Sequence, residues 1–388
     1  MKHAHWGALA LAITATQSVA ATPDTAEQLK NLQDKLVQQQ QQIEALAEAL
    51  EGQSASQAGG KWFNKTTIGG YGEHHFNHKK RGDDEVDAHR FVMYIGHEFT
   101  DSLRFFSEFE LEHSIAGEGQ PGEIELEQAY IEWDYAERHS LIMGQFLLPV
   151  GILNETHEPN TFYGVERNLV ENKILPTTWW ESGVMAQGQL GGGLSYNLAF
   201  HSGLSVAENY PDNGSFDSIR SGRQKSGEAL AEDLAYTARL KYTGVKGLEL
   251  AVTYQHQQDI SQGLTGENNA ADLLEAHAIY QVGPWGFRAL WVEWEIDGDI
   301  PAASGADQQE GYYVEGSYKV MPTLGVFARY AMYDNAAGDS SNSELEAQTV
   351  GLNYWLADTV VIKLDYQDQD KEPKGGSDSI NLGIGWSY

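Results

Sequence analysis

EDLAYTARLKYTG, Glu232 to Gly244, alternates with a period of two: Leu234, Tyr236, Ala238, Leu240 and Tyr242 fall on one face, Thr237, Arg239 and Lys241 on the other. Successive side chains of a β-strand point to opposite sides of its sheet, so this is a strand with one apolar and one charged face. In a soluble sandwich the apolar face would look inward. In a barrel that spans lipid it looks outward, and the charged face lines a wet lumen. The preceding LSYNLAFHSGL, residues 194–204, repeats the pattern, with Leu194, Tyr196, Leu198, Phe200 and Leu204 against Ser195, Asn197, Ala199 and His201.

The connections separate the two readings. From Trp62 onward about sixteen such strands follow one another, and their joins alternate between short and long. Short joins lie near Asp101, Glu137, Gly192, Gly244 to Gly247, Gly283 to Gly286, Pro322 and Asp358. Long ones cover about 77–86, 114–123, 149–180, 205–231, 258–272, 297–310, 334–345 and 369–378. An even-stranded meander whose two ends lie on the tight-turn side gives this alternation, and outer-membrane barrels have short periplasmic turns and longer external loops. Tyr236 and Tyr242, like Tyr312 and Tyr318, bracket apolar stretches as girdle residues do. The last stretch, SINLGIGWSY, sets Ile380, Leu382, Ile384, Trp386 and Tyr388 on one face. It resembles the C-terminal strand that the barrel assembly machinery reads. The expected fold class is all-β: a 16-stranded antiparallel transmembrane β-barrel over residues 62–388, preceded by a short helical coiled coil.

Composition agrees. The net charge of −31 argues against a nucleic-acid partner, because a phosphate backbone needs clustered Lys and Arg. The absence of Cys removes disulfides and thiolate metal sites. Residues 1–21, with Lys2, an apolar run from Trp6 to about Ala15 and small residues at Ser18, Ala20 and Ala21, read as a secretory signal peptide. The run is too short to cross ~30 Å of hydrocarbon as a helix. In residues 22–52, Leu29, Leu32, Leu36, Ile43, Leu46 and Leu50 occupy heptad a and d positions, a periplasmic coiled coil compatible with three strands; 53–61 reads as a linker.

One long join stands out. After GQFLLPVGI, Pro149 forbids an ordinary ladder continuation, and about thirty residues pass before the next strand. A barrel of this width encloses an aqueous channel unless something folds into it. The loop 149–180 is therefore a candidate constriction, with Glu155, Glu158, Glu166, Arg167, Glu171 and Lys173 as its charged residues; the alternative is that it covers the external mouth.

GQFLLPVGI, then FYGVER, then ILP, after a short N-terminal coiled coil, resembles the phosphate-selective porin O and P family of bacterial outer membranes. Gly144, Pro149, Gly151, Glu166, Arg167 and Pro176 carry the likeness; where Val150 stands, the family often has an aromatic residue. The resemblance implies a homotrimer of sixteen-stranded pores, each narrowed by an inward loop, in contact with outer-membrane lipid and lipopolysaccharide.

Selectivity is a separate matter. Channels that favour phosphate line the lumen with Arg and Lys, which replace the anion's lost hydration. Here Pro149 to Glu181 holds Glu155, Glu158, Glu166, Glu171 and Glu181 against Arg167 and Lys173. On the faces assigned to the lumen, Glu108, Glu110, Glu112, Glu132, Asp134, Glu293, Glu295, Glu315 and Asp365 outnumber Arg104, Arg239, Lys241, Lys319, Arg329 and Lys363. The expectation is a diffusion channel for small hydrophilic solutes that is weakly selective or prefers cations; the alternative is an anion or phosphate channel. A barrel hydrolase is a further alternative, but there is no G-x-S-x-G, and no catalytic residue or cofactor is assigned. His74 and His75 would point to opposite faces of a strand, so sharing an ion would need a bulge or loop, and no metal site is expected at His74, His75 and His78.

Overall fold

A computed structural model describes residues 64–207, 214–340, 343–371 and 376–388. The expected signal peptide (1–21), coiled coil (22–52) and linker (53–61) all lie outside the described residues. Sixteen strands form a closed antiparallel barrel in which each pairs with its neighbours in sequence and the first closes on the last. They are β1 (Thr66–Lys79), β2 (Glu85–Thr100), β3 (Leu103–Glu112), β4 (Ile124–Ala136), β5 (His139–Leu147), β6 (Trp180–Gly191), β7 (Leu194–His201) and β8 (Ala235–Tyr242), followed by β9 (Leu248–Gln257), β10 (Ala271–Val282), β11 (Trp285–Ile296), β12 (Gln308–Met321), β13 (Leu324–Asp334), β14 (Leu345–Ala357), β15 (Val360–Lys371) and β16 (Ser379–Ser387). Two short helices interrupt the long joins, α1 (Leu169–Lys173) and α2 (Asp299–Ser304).

The barrel closes between β1 and β16, where Tyr71 is paired with Ser387 and Lys79 with Ser379. Closure removes the free edges that an open sheet would expose. The alternation read from the sequence resolves as lipid outside and lumen inside. Leu198, Phe200, Tyr236 and Leu240 are exposed on the outer face, whereas Asn197, Thr237 and Arg239 are buried within. A sandwich has no place for this arrangement, since its apolar faces would be the covered ones.

The lumen is not empty. The segment between β5 and β6 enters it and buries Val150, Ile152, Leu153, Ile174, Leu175 and Trp179 in one cluster with Leu290, Val292, Trp294 and Tyr313 of the wall. The segment between β7 and β8 joins the same cluster through Leu204, Val206, Phe216 and Ile219. An apolar core therefore sits inside a lumen that is otherwise polar, on the β10–β13 side. Two wall glycines make room for the inward segment: a Cβ on Gly325 would run into the Tyr163 ring, and one on Gly385 into Pro159.

Candidate functional site

The neck of the inward loop is tied by one side chain. Asn154 donates from Nδ2 to the carbonyls of Leu148 (2.8 Å) and Trp179 (2.9 Å), and its Oδ1 accepts from the Trp179 N–H at 2.7 Å. These bonds join the start and end of the loop and satisfy backbone groups that Pro149 leaves without a ladder. Helix α1 follows its N-cap Asn168, whose side chain accepts from the Glu171 N–H at 3.0 Å. Glu171 is the hub of the seat. It accepts from the N–H groups of Ile152 and Leu153, from Asn168 Nδ2 and from the Tyr313 hydroxyl on β12 (2.8 Å).

The far end of the loop crosses to other strands, and its backbone is held by their inward side chains. Arg288 donates to the Thr161 carbonyl (2.8 Å), Asn353 to that of Phe162 (3.2 Å) and Arg329 to that of Tyr163 (2.7 Å). The Val165 N–H donates to Asp365 at 2.6 Å. Glu166 lies 3.0 Å from His75 Nδ1 and accepts from Asn77 at 2.9 Å, both on β1. Side chains from β1, β11, β13, β14 and β15 thus fix one short segment, which places it across the lumen rather than over its mouth.

Each charged residue expected on the loop has a distinct setting. Glu155 pairs with buried Arg239 of β8. Glu158 stands beside Glu108, Tyr94 and His157 around one cavity. Glu166 and Arg167 face the space next to β1 and β2, and Lys173 borders the outer part of it. Glu171 is fully buried and turned away from the open path, so its role is to seat the loop.

On the wall, Arg104 makes a bidentate contact with Asp134 (2.7 Å to each oxygen) and reaches Glu132 at 3.2 Å. Glu108 and Glu110 are buried inward, Arg329 pairs with Glu315 at 2.6 Å, and Lys241 lies 3.8 Å from Glu249. Glu293 is a correction. It shares its face of β11 with Trp291, which is exposed to the outside, while Leu290, Val292 and Trp294 are the buried inward residues. Glu293 and Glu295 therefore lie on the outer face near the long-loop end; Glu293 accepts from Gln308 at 2.7 Å. Both flanks of the strand carry large apolar residues, so alternation alone assigned the wrong side.

Open space remains along β1–β8 and β15–β16. A cavity of about 680 Å³ opens at the tight-turn end, bordered by Asp134, Glu155, Arg239 and Lys241. It adjoins one of about 380 Å³ around Glu108, Glu132 and Glu158, with which it shares Glu155 and Gln187. Toward the long-loop end lie two further spaces, of about 160 and 390 Å³, which share His75, His89, Glu166 and Arg167. Tyr71 stands between the two pairs: its ring is 5.9 Å from that of His157 on one side and 5.6 Å from the guanidinium carbon of Arg90 on the other. Arg90 in turn is bonded to Glu73 at 2.5 Å.

Several residues of this path were not singled out from the sequence. Tyr71, Arg90, Glu127 and His157 meet only through the barrel's closure and the loop's entry. Arg220 and Arg223 come from the segment between β7 and β8 and join Arg167 around the 160 Å³ space. Arg167 donates to the Thr178 hydroxyl (3.1 Å), and Arg223 to the Pro176 and Thr178 carbonyls. Among the described residues none of the three has an ion-pair partner, and burial, together with the neighbouring Arg223 and Arg167, lowers the pKa of Arg220.

Comparison with known proteins places the chain. An uncharacterized protein of Aquifex aeolicus (strain VF5) is 29% identical over 358 residues, covering 83% of this chain and 80% of its own. Among solved structures, the outer membrane channel DcaP of Acinetobacter baumannii is similar with a TM-score of 0.60 and 12% identity, over 83% of this chain and 97% of that one. The anion-selective porin from Comamonas acidovorans gives 0.59 at 12% identity, over 83% and 99%. At such identities the likeness to these two is one of fold. Residues 69–379 match the family described as phosphate-selective porin O and P, and with a closed sixteen-stranded barrel around a loop-filled polar lumen the chain belongs to that family of outer-membrane porins.

Proposed function

We propose that this porin is a passive diffusion channel for small hydrophilic solutes with a weak preference for cations. The observation that carries the reading is how the lumen's charges are paired. Arg90, Arg104, Arg239, Arg329, Lys225 and Lys241 each lie against a carboxylate, so they offer little uncompensated positive charge to a passing anion. Glu108, Glu110, Glu127 and Glu158 have no Lys or Arg ion pair among the described residues. Paired charges also set up a field across the path, which orients dipolar solutes without strongly selecting a sign. Membership of a porin family supports a channel rather than the hydrolase weighed from the sequence.

Proteoliposomes made with the purified protein are expected to swell in isosmotic pentose, and progressively more slowly as the sugar grows, because cavities of a few hundred Å³ admit monosaccharides and retard oligosaccharides. Swelling no faster than protein-free liposomes would contradict a diffusion channel. The proposal includes homotrimers joined through lipid-facing surface, the coiled coil of residues 22–52 as a periplasmic tether, and recognition of the strand ending at Tyr388 by the assembly machinery.

A second reading, an anion channel, is favoured by one feature. Arg167, Arg220 and Arg223 converge with no ion pair among the described residues, in a space that Glu73, Glu112, Glu125 and Glu166 also line, and like charges held together out of water are relieved by a bound anion.

A further inference from the structure

Strands β1 and β2 depart from regular pairing at one place. Glu73 is paired with Arg90 and His75 with Asp87, so two residues of β2, Ala88 and His89, stand opposite the single His74. Such a bulge adds a residue to one strand and re-aims its side chains. As a result His89 and Arg90, adjacent in sequence, both border the lumen. His74 remains on the outer face, stacked on Trp386 at 5.6 Å, and His78 pairs with Asp84 at 2.7 Å, so neither enters the cluster.

His113 completes the group from a third element. It follows β3 with φ of +50°, a left-handed conformation uncommon for a residue with a side chain, and its N–H donates to the His89 carbonyl at 3.2 Å. Its ring stands edge-on to that of His89, 5.8 Å between centroids, and His75 stacks on the other side of His89 at 4.5 Å. The Asp87 carboxylate lies between two imidazoles, 3.0 Å from His89 Nδ1 and 2.9 Å from His113 Nδ1.

We propose that Asp87, His89 and His113 bind one divalent first-row transition-metal ion of the zinc class in the lumen wall. Their ligand atoms all lie within 4.8 Å of one another, and the same holds for His75, His89 and Glu166, so His89 is the common member of two overlapping donor sets. Bonds of ~2.0–2.2 Å to a tetrahedral ion place its ligand atoms ~3.3–3.5 Å apart, so the present contacts need to open by only a few tenths of an ångström. Two imidazoles and a carboxylate suit zinc, cobalt or nickel, whereas magnesium and calcium call for oxygen ligands throughout. The fourth position faces the cavity of about 390 Å³ that opens toward the long-loop end, which gives the ion a way in. Around that cavity Glu85 faces the ion with the donors, while Lys79, Arg81, Arg167 and Lys173 oppose it; Lys79 is paired with Glu85 at 3.0 Å. With His75 hydrogen-bonded to Glu166, an ion here would bind the wall at the point where the inward loop touches it.

The site is independent of the channel's ion preference and is tested by binding. Full-length, tag-free protein is stripped with chelator in detergent and titrated calorimetrically with zinc chloride in millimolar magnesium, which saturates diffuse sites on residual lipopolysaccharide. One saturable zinc site per chain is expected. His89→Ala and His113→Ala should each weaken it by about tenfold or more, while outward-facing His74→Ala leaves it unchanged. Cobalt in place of zinc should give a visible absorption band that His113→Ala removes. If His89→Ala does not fold, His113→Ala carries the same test, because it lies outside the strand ladder. Absence of saturable zinc binding to the wild type, or unchanged affinity in His113→Ala, overturns the proposal.

Discussion

Removing Asn154–Lys173 and bridging the ends with glycine and serine is expected to raise single-channel conductance severalfold. The ends left by the deletion lie close together, because Leu153 and Ile174 both bond to α1, at Glu171 and Val170, and the Leu148 N–H bond to the Trp179 carbonyl (3.0 Å) is kept. What is lost is the segment that spans the lumen from Glu155, paired with Arg239 of β8, to Glu166, bonded to Asn77 of β1. A sixteen-stranded barrel without it has an open aqueous channel, and conductance follows the cross-section at the narrowest point. The barrel keeps all its ladder hydrogen bonds, so the heat-modifiable mobility of folded protein on gels should persist. Conductance equal to wild type would place the narrowest point elsewhere in the lumen.

Glu171→Ala should release the loop while leaving it in the chain. Four donors converge on this carboxylate, from Ile152, Leu153, Asn168 and Tyr313. Each buried donor left without an acceptor costs ~1–3 kcal/mol, and several together loosen the α1 end of the loop. The expected result is noisy, interrupted conductance and cleavage of the loop by added protease, with wild type stable to both. Glu171→Gln keeps one acceptor oxygen and should be much milder.

A pH dependence follows from the same residue. Burial raises the pKa of Glu171, so the seated loop binds its proton more readily than the released one does. Seating then weakens as pH rises from the ordinary carboxylate value of ~4.3 toward the raised one, and is strongest below that window. Channel noise in the wild type should fall on acidification across this range, and in Glu171→Gln it should not change.

How much of this was legible beforehand depends on the range of the interactions involved. Strand positions were, because period-two alternation is local and the lipid enforces it on every strand: the turn at Gly283 to Gly286 and the 149–180 join appear where the sequence put them. The fate of the loops was not. Leu204, Val206, Phe216 and Ile219 fold inward against an apolar patch that β5 to β7 and β10 to β13 assemble, and nothing within residues 205–231 announces it. Arg220 and Arg223 therefore reached the path unforeseen. Facing failed at Glu293, where tryptophans occupy both sides of β11, and the bulge that brings His89 to the lumen leaves no period-two signal. The charge count was incomplete, because it placed Glu293 and Glu295 in the lumen and summed residues that the fold binds in pairs.

The most direct test of the account is the reversal potential of the purified porin in a planar bilayer under a potassium chloride gradient. Arg90, Arg104, Arg239, Arg329, Lys225 and Lys241, each held against a carboxylate, predict a small potential whose sign indicates potassium preference, unaffected by added phosphate. A clear chloride preference that phosphate suppresses, and that is lost when Arg167, Arg220 and Arg223 are changed to alanine, would contradict it and assign selectivity to those three arginines.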